Sequence, residues 1–513
     1  MKLIVTKTKQ KDNYISYTPI FFFVTSFLIL FLGTKSSPYY IYNNWCDANS
    51  YFSVGKAMFN GLAPYKDIFD QKGMYLYFLY GLCYLVSHTT FIGVFIMELI
   101  IGFIDIWGLF KILKTHLSES LSLFLAPISF AIIVSSYSFY MGGSAEEFCL
   151  PLYIWGLYLI LDYCKKVSSD NKYVMPNKIL ITGGVLAGLV ANIKFTGLGF
   201  FFGWMAYIFF IIVLVQKQLV KALQSCLWFL LGMFIPFIPW IIYFDLKCDL
   251  YWWYWGYVDI NVFSYSNLGA DGPGIFERIY NLAKIALWTL QDNPVWFILL
   301  IIGVGYSIFR LRVKSYERLL IVVLLGFLFL GIYIGGSRLP YYALPLSVFN
   351  VIGLLPMGLG LEKIIKKITN PSWISSSVSI VLSAIISITV MYTLSMNIPD
   401  HNLKKEDHYL TKFTEIIKES RIENPTLLNI NCLDAGLYTT ADIIPNCQWF
   451  QTQTINSNIP YNAQDRYISD GLTDFVIASK YYPVHIEDNY KLVSELPWSQ
   501  EGYDIVYYLF QKK

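Results

Sequence analysis

Carboxylates, cations and a tyrosine pair at the ends of apolar segments are the residues of this chain best suited to chemistry. Asp47 stands in Asn44-Trp45-Cys46-Asp47-Ala48-Asn49-Ser50-Tyr51, a few residues beyond the first apolar run. A carboxylate there can take a proton from an attacking hydroxyl. Asp ahead of an amphipathic stretch also serves as an N-cap, and spacing alone gives the two roles equal weight. Glu146 and Glu147 follow Met141-Gly142-Gly143-Ser144-Ala145. Adjacent acids at a helix start favour the helix dipole. Alternatively they supply a second acid beside Asp47, or share a hard divalent cation with it through oxygen ligands. Lys72 in Phe69-Asp70-Gln71-Lys72-Gly73, Lys194 in Asn192-Ile193-Lys194-Phe195-Thr196-Gly197 and Arg338 in Gly335-Gly336-Ser337-Arg338-Leu339-Pro340 are fixed cations at segment ends. A cation so placed suits a lipid phosphate, and snorkelling to the headgroup level is the structural alternative.

The elements that must position these groups are membrane helices. Of the 513 residues 56% are hydrophobic and 14% charged, against about 25% charged in a soluble domain. Apolar stretches of about 17–25 residues recur, each able to span a bilayer core. They predict about eleven transmembrane helices at 18–35, 91–113, 120–140, 147–164, 178–195, 197–215, 223–243, 295–309, 319–334, 341–358 and 375–396. The N-terminus pairs lysines with an apolar run, but no A-x-A-like cleavage site follows, so it reads as a retained first helix. With the tail 1–17 in the cytoplasm, every second loop is basic. Lys2, Lys7, Lys9 and Lys11 are followed by Lys111 and Lys114, then Lys165, Lys166, Lys172 and Lys178. Lys217 and Lys221 come next, then Arg310, Arg312, Lys314 and Arg318, and finally Lys363, Lys366 and Lys367. The positive-inside rule fixes that orientation.

Three segments then face outward: the first outer loop 36–90, a loop near 244–294, and a polar end, 398–513. Within the first, 48–62 is amphipathic and 74–87 is too short to span, so both suit interfacial or re-entrant helices. The C-terminal segment predicts a small extracytoplasmic α/β domain, with a helix over about 406–420 and strands at 426–431, 474–479 and 503–511. Glu98 and Asp105, seven residues apart on one face of the second span, read first as interhelical bonding groups and second as a proton path. Trp252, Trp253, Tyr254, Trp255 and Tyr257 read as an aromatic belt, with stacking on a sugar or isoprenoid as the alternative. Cys432 and Cys447 read as buried free thiols before they read as a disulfide. A net charge of +3 offers nothing for nucleic acid. There is no Walker A loop, no HExxH and no G-x-S-x-G.

The ordered set of short motifs resembles the polytopic glycosyltransferases of the GT-C fold. The likeness is to the bacterial family 39-like branch, similar to the protein-mannosyltransferase and aminoarabinose-transferase families, and it covers about 15–400. An Asp follows the first helix, in WCDANSYF. A stretch similar to G-x-x-P-Y-x-D-x-x-x-x-K-G/P-P runs from Gly61 to Gly73. An acid opens the fourth helix, at Glu146 or Glu147. A G-L-x-x-x-x-K-x-T run ends on Lys194 and Thr196, and Tyr341-Tyr342 opens a late helix. The chain departs from the pattern at Lys72-Gly73-Met74, where relatives read Lys-Pro-Pro or Lys-Gly-Pro. It departs again at Pro340-Tyr341-Tyr342, where they read His-Tyr-Tyr, and it lacks the WWD signature.

The resemblance implies an all-α integral membrane domain over 18–397, with interfacial helices, beside the α/β domain that composition and periodicity predict over 398–513. It implies an inverting transfer from a polyprenyl-phosphate-linked sugar to an acceptor outside the bacterial plasma membrane, whether a cell-envelope glycan, a lipid or a protein. It makes Asp47 the acceptor-activating base, with Glu146 and Glu147 beside it. It assigns the lipid phosphate to basic groups near Lys72; Lys194 and Arg338 are further phosphate candidates by their placement at segment ends, and Asp70, Tyr341 and Tyr342 are candidates for the sugar or acceptor. The sequence specifies no cofactor, and a divalent metal at Asp47, Glu146 and Glu147 is compatible with the acids. A flippase for lipid-linked sugars, or a polysaccharide polymerase or ligase, are the rival expectations.

Overall fold

The computed structural model describes residues 17–170, 172–265, 274–309, 314–368, 376–453, 455, 457–500 and 503–513. The tail lysines Lys2, Lys7, Lys9 and Lys11, together with Arg310 and Arg312, lie outside the described residues. The chain begins with α1 (Thr18–Gly33), the short helices α2 (Cys46–Phe59) and α3 (Met74–Val86), then α4 (Ile92–Lys114), α5 (Glu119–Val134), α6 (Ala145–Ser169) and α7 (Asn177–Ala191). Next come α8 (Leu198–Phe210), α9 (Leu219–Phe234), α10 (Ile238–Lys247) and α11 (Leu250–Trp253), the last running into a π-helix over Tyr254–Tyr265. The membrane part ends with α12 (Ile275–Asp292), α13 (Pro294–Phe309), α14 (Ser315–Tyr333), α15 (Asn350–Ile368) and α16 (Ser376–Leu394).

All eleven predicted spans are helical. Among the described residues, six helical stretches are long and apolar enough to cross a membrane unaided. Their surfaces are inverted relative to a soluble protein. On α9 the exposed residues include Leu223, Leu227, Leu230, Leu231 and Phe234, while Ala222, Ser225 and Gly232 are buried. Small residues let backbones meet where lipid removes any hydrophobic drive between helices. A Cβ on Gly184 would stand 2.1 Å from the Phe229 carbonyl, and one on Gly232 would stand 2.2 Å from the Ile181 carbonyl, so α7 and α9 touch backbone to backbone.

The first outer loop folds as expected into two short helices, α2 and α3, packed through Gly55 and the backbone of Gly81. The segment 244–294 corrects the expectation of a loop. It holds α10, α11, the π-helix and α12, which meets α13 at a bend of 118°. Its charges mask an amphipathic pattern, in which Ile275, Phe276, Ile279 and Tyr280 leave an exposed apolar face.

The basic connections gather at one end. Lys165 Nζ donates to the Thr115 carbonyl (3.4 Å), and the Ser118 amide donates to Glu362 (2.6 Å). The α/β domain sits at the other end on α17 (Tyr409–Glu419), which buries Tyr409, Leu410, Phe413 and Ile417. Further along it contains α18 (Leu437–Thr440) and α19 (Ile459–Ser469). Its sheet is β1 (Leu427–Ile430), β2 (Phe475–Ser479), β3 (Tyr490–Gln500) and β4 (Tyr503–Lys512), in the order β1-β2-β4-β3. β1 and β2 run parallel, and the other pairs are antiparallel. The three predicted strands are present. β3 was hidden by Pro497, which an edge strand tolerates.

Candidate functional site

Asp47 sits in the first turn of α2, whose N-cap is Trp45. It does not cap the helix. Its Oδ2 accepts hydroxyl bonds from Tyr341 (2.6 Å) and Tyr51 (3.1 Å). Tyr341 is fixed in turn by the Trp45 ring, 4.8 Å away centre to centre. Both hydroxyls reach one oxygen, and the carboxylate is half-buried.

Lys72 and Lys194 are brought together by backbone. The chain leaves α7 at Asn192, and the loop before α3 is laced onto it. The Gly73 amide donates to the Ile193 carbonyl (3.1 Å) and the Tyr75 amide to the Asn192 carbonyl (3.2 Å). A Cβ at Gly73 would lie 2.0 Å from the Asn192 carbonyl oxygen. The absence of a Cβ at Gly73 is therefore what permits the approach. Lys72 is held by its own backbone: its amide donates to the Tyr77 hydroxyl (2.7 Å) and its carbonyl accepts from Tyr65 (2.6 Å). Its ammonium lies 5.6 Å from the centre of the Tyr51 ring, so Tyr51 touches both the cation and Asp47.

Lys194 pairs with Glu146 and lies over Tyr342, 3.8 Å from the ring centre, with Tyr341 at 5.4 Å. Burial pushes its ammonium below the ordinary lysine range; Glu146 opposes the shift and the Lys72 charge reinforces it. Asp70 is buried, accepts from the Tyr77 hydroxyl (2.7 Å), and is raised above the usual carboxylate range by burial, against the pull of Lys72 and Tyr77. Asp47, Tyr51, Lys72, Glu146, Lys194, Tyr341 and Tyr342 thus form one cluster, with Asp70 at its edge.

Two expected members stand apart. Glu147 accepts from the Gly143 amide (2.7 Å), and its own amide donates to Ser144 Oγ (2.9 Å), the N-cap of α6. Gly142 and Gly143 both have positive φ, which aims that amide at the carboxylate. Glu147 is a helix-start residue here. Arg338 pairs with Asp292 and covers Trp288 at 5.0 Å. The shared-metal expectation finds no ligand set. Asp47 faces tyrosines, Glu146 faces Lys194, Glu147 faces a backbone amide, and no three metal-ligating side chains converge among the described residues. Glu98 is bonded by Thr34 (2.9 Å), as the interhelical reading expects, whereas neither carboxylate oxygen of Asp105, which shares that reading, has a hydrogen-bond partner among the described residues. Cys432 and Cys447 are free thiols.

Between the two lysines lies a cavity of about 140 Å³, walled by Gln71, Lys72, Lys194, Thr196, Asn261 and Tyr342 among others. Phe195, Tyr257 and Val262 wall it too, and the same three residues wall an apolar groove of about 490 Å³ that includes Leu198, Trp253 and Val258. The π-helix ties the two together. The Tyr257 hydroxyl donates to the Ala191 carbonyl (2.6 Å), and Asn261 donates to the Gln71 carbonyl (2.8 Å). Sequence reasoning saw an aromatic belt there and missed Asn261, Tyr51 and Gln71. The one signal available was the density of aromatics, and π-helical turns recur at functional sites.

No protein-family model and no curated protein sequence matches the chain. Among solved structures it superposes on ArnT from Cupriavidus metallidurans bound to undecaprenyl phosphate. The TM-score is 0.60 at 10% identity, over 96% of this chain and 98% of that one. The apo state of the same protein gives 0.58 over the same shares. An oligosaccharyltransferase from Archaeoglobus fulgidus aligns at 0.46, over 91% of this chain and 70% of the other. The chain therefore has the GT-C fold.

Proposed function

We propose that this protein is a membrane glycosyltransferase that moves a sugar from a polyprenyl-phosphate donor to a hydroxyl acceptor outside the cytoplasm, with inversion. One observation carries the reading: a two-lysine cavity beside Asp47 that shares its walls with an apolar groove. A phosphate joined to a long hydrocarbon needs both halves of that arrangement. The solved structure of the same fold, ArnT, binds undecaprenyl phosphate, which supports the choice of lipid.

In this mechanism the acceptor hydroxyl attacks the anomeric carbon from the face opposite the phosphate. Its proton passes to Asp47 Oδ1, which accepts a long contact from the Cys46 thiol (4.0 Å) while Tyr341 and Tyr51 hold Oδ2. The anomeric carbon–oxygen bond breaks, and its electron pair leaves with the lipid phosphate. Lys72 and Lys194 stabilise the charge that grows there. Asp70 and Tyr342 flank the sugar and fix its orientation. Arg338 follows the cavity-wall residue Ser337 but is paired with Asp292, so it stays outside the phosphate site. The basic ends of the helices face the cytoplasm, and the site and the α/β domain face outward.

Purified protein in lipid nanodiscs, given polyprenyl-phosphate-linked sugars and a cell-envelope extract, is expected to release the free lipid phosphate. Reconstituted vesicles in which the lipid-linked sugar crosses the bilayer unconsumed would replace this reading with transport.

A further inference from the structure

A second cavity, of about 310 Å³, lies outside the cluster just described, where the α/β domain meets the first outer loop. That volume is at the lower end of ligand sites, about 300–1,000 Å³. Its walls come from three places: residues 35–43 after α1, the turn at 89–92 before α4, and Leu410, Thr439 and Thr440 of the α/β domain, with Asn49 of α2 between them. The walls are built rather than draped. Thr439 donates to Asn49 Oδ1 (3.3 Å), Asn43 donates to Ser36 Oγ (3.2 Å), and Thr440 and Thr414 share a bond of 2.7 Å.

The chemistry of the lining is neutral and hydroxyl-rich. Lys35 is its one charged side chain, and Asp400 neutralises it at 2.5 Å. An anion therefore finds no free cation there. The hydroxyls of Tyr40, Ser37 and Thr439 donate their one hydrogen to the Leu32 carbonyl (2.6 Å), the Phe31 carbonyl (2.7 Å) and Asn49 Oδ1 (3.3 Å), so they offer acceptor lone pairs to the hydroxyl hydrogens of a ligand, and Tyr40, Tyr42 and Phe91 add apolar surface. Hydroxyls interleaved with aromatic carbon match an uncharged sugar ring better than a phosphate or an acyl chain.

We propose that this seam cavity is a binding site for a neutral sugar unit of the acceptor glycan, an inference that rests on the glycosyltransferase reading. Asn49 on its wall lies two residues beyond Asp47 on the same helix. A helix with its side chains is about 10–12 Å across, so a sugar in the seam lies across α2 from the base. It is a non-reacting unit, held so that another part of the acceptor reaches Asp47. Binding energy gained on such remote units is what an enzyme spends on orientation at the reacting centre.

The test uses full-length protein in nanodiscs free of sugar detergents. Saturation-transfer NMR reads the binding of maltotriose, cellotriose and chitotriose, with trigalacturonic acid as the charged control. At least one neutral trisaccharide is expected to bind, and the acid is not. Thr90→Trp, at an exposed position on the cavity mouth, weakens that binding by about tenfold or more, whereas Asp47→Asn leaves it unchanged. Thr440→Val, nearly isosteric inside the cavity, weakens it without filling the space. Absence of binding by all three neutral sugars, binding indifferent to Thr90→Trp, or equal binding of the acid overturns the proposal. Sugar binding that obeys these variants in a protein that never consumes donor would overturn the transferase reading and the acceptor role, leaving a plain saccharide site.

Discussion

Replacing Lys194 by Met separates the two jobs assigned to that residue. Its ammonium pairs with Glu146, which is only 3% exposed. The single substitution strands a buried carboxylate, at a cost of about 3–5 kcal/mol. Adding Glu146→Gln removes the stranded charge at nearly constant volume, and the double variant regains most of that stability. The phosphate is not compensated in the same way. A hydrogen bond to a charged group contributes about 1.5–3 kcal/mol, equivalent to about 10- to 150-fold in donor affinity. Thermal unfolding and equilibrium binding of undecaprenyl phosphate, both in nanodiscs, read the two effects. The single variant is expected to lose stability and affinity, and the double variant affinity alone. A double variant with restored stability and wild-type affinity would reduce Lys194 to a structural partner of Glu146 and refute its phosphate role.

Three further outcomes follow from the same geometry. Gly73→Ala drives a methyl into the Asn192 carbonyl, 2.0 Å from the Cβ position; it should part Lys72 from Lys194 and raise the KM for donor more than it lowers the melting temperature. Lys56, fully buried on α2, donates to the Tyr438 carbonyl and to Asp442, each at 2.9 Å; Lys56→Met should loosen the α/β domain from α2 and lower kcat, and Lys56→Arg should restore part of it. Asp434, buried and bonded by Ser53 at 2.5 Å, is pushed up to about 6 by burial. A carboxyl raised in the folded state stabilises fully below its unfolded value and loses that contribution as pH rises through about 6, here at most about 3 kcal/mol. Wild type should therefore melt higher at pH 5 than at pH 8, and Asp434→Asn should narrow the difference.

The membrane helices were legible because length and hydropathy are local properties, and the alternation of basic loops is visible without any contact map. The short helix α3 was legible too, since 74–87 is apolar but too short to cross. The pairings were not. Nothing in the spacing of Glu146 and Glu147 says which of two adjacent acids meets Lys194; positive φ at Gly142 and Gly143 decides it by presenting an amide to Glu147. The same holds for Asp47, where spacing weights cap and base equally; the cap position falls to Trp45, and two tyrosines, one of them 294 positions away, meet on one oxygen of Asp47. Pro497 concealed β3, because edge position is a property of the sheet and not of the strand. The docking of the α/β domain on α2, through Ser50, Ser53 and Lys56, joins residues about 380–400 positions apart in the chain and leaves no local trace.

The most direct test of the central claim compares Asp47→Asn with wild type at matched melting temperature, in nanodiscs, with saturating polyprenyl-phosphate sugar and acceptor. If Asp47 takes the acceptor proton, the variant should bind the donor with wild-type affinity and release lipid phosphate about 10²–10⁴-fold more slowly. Release at the wild-type rate would contradict the account at its base.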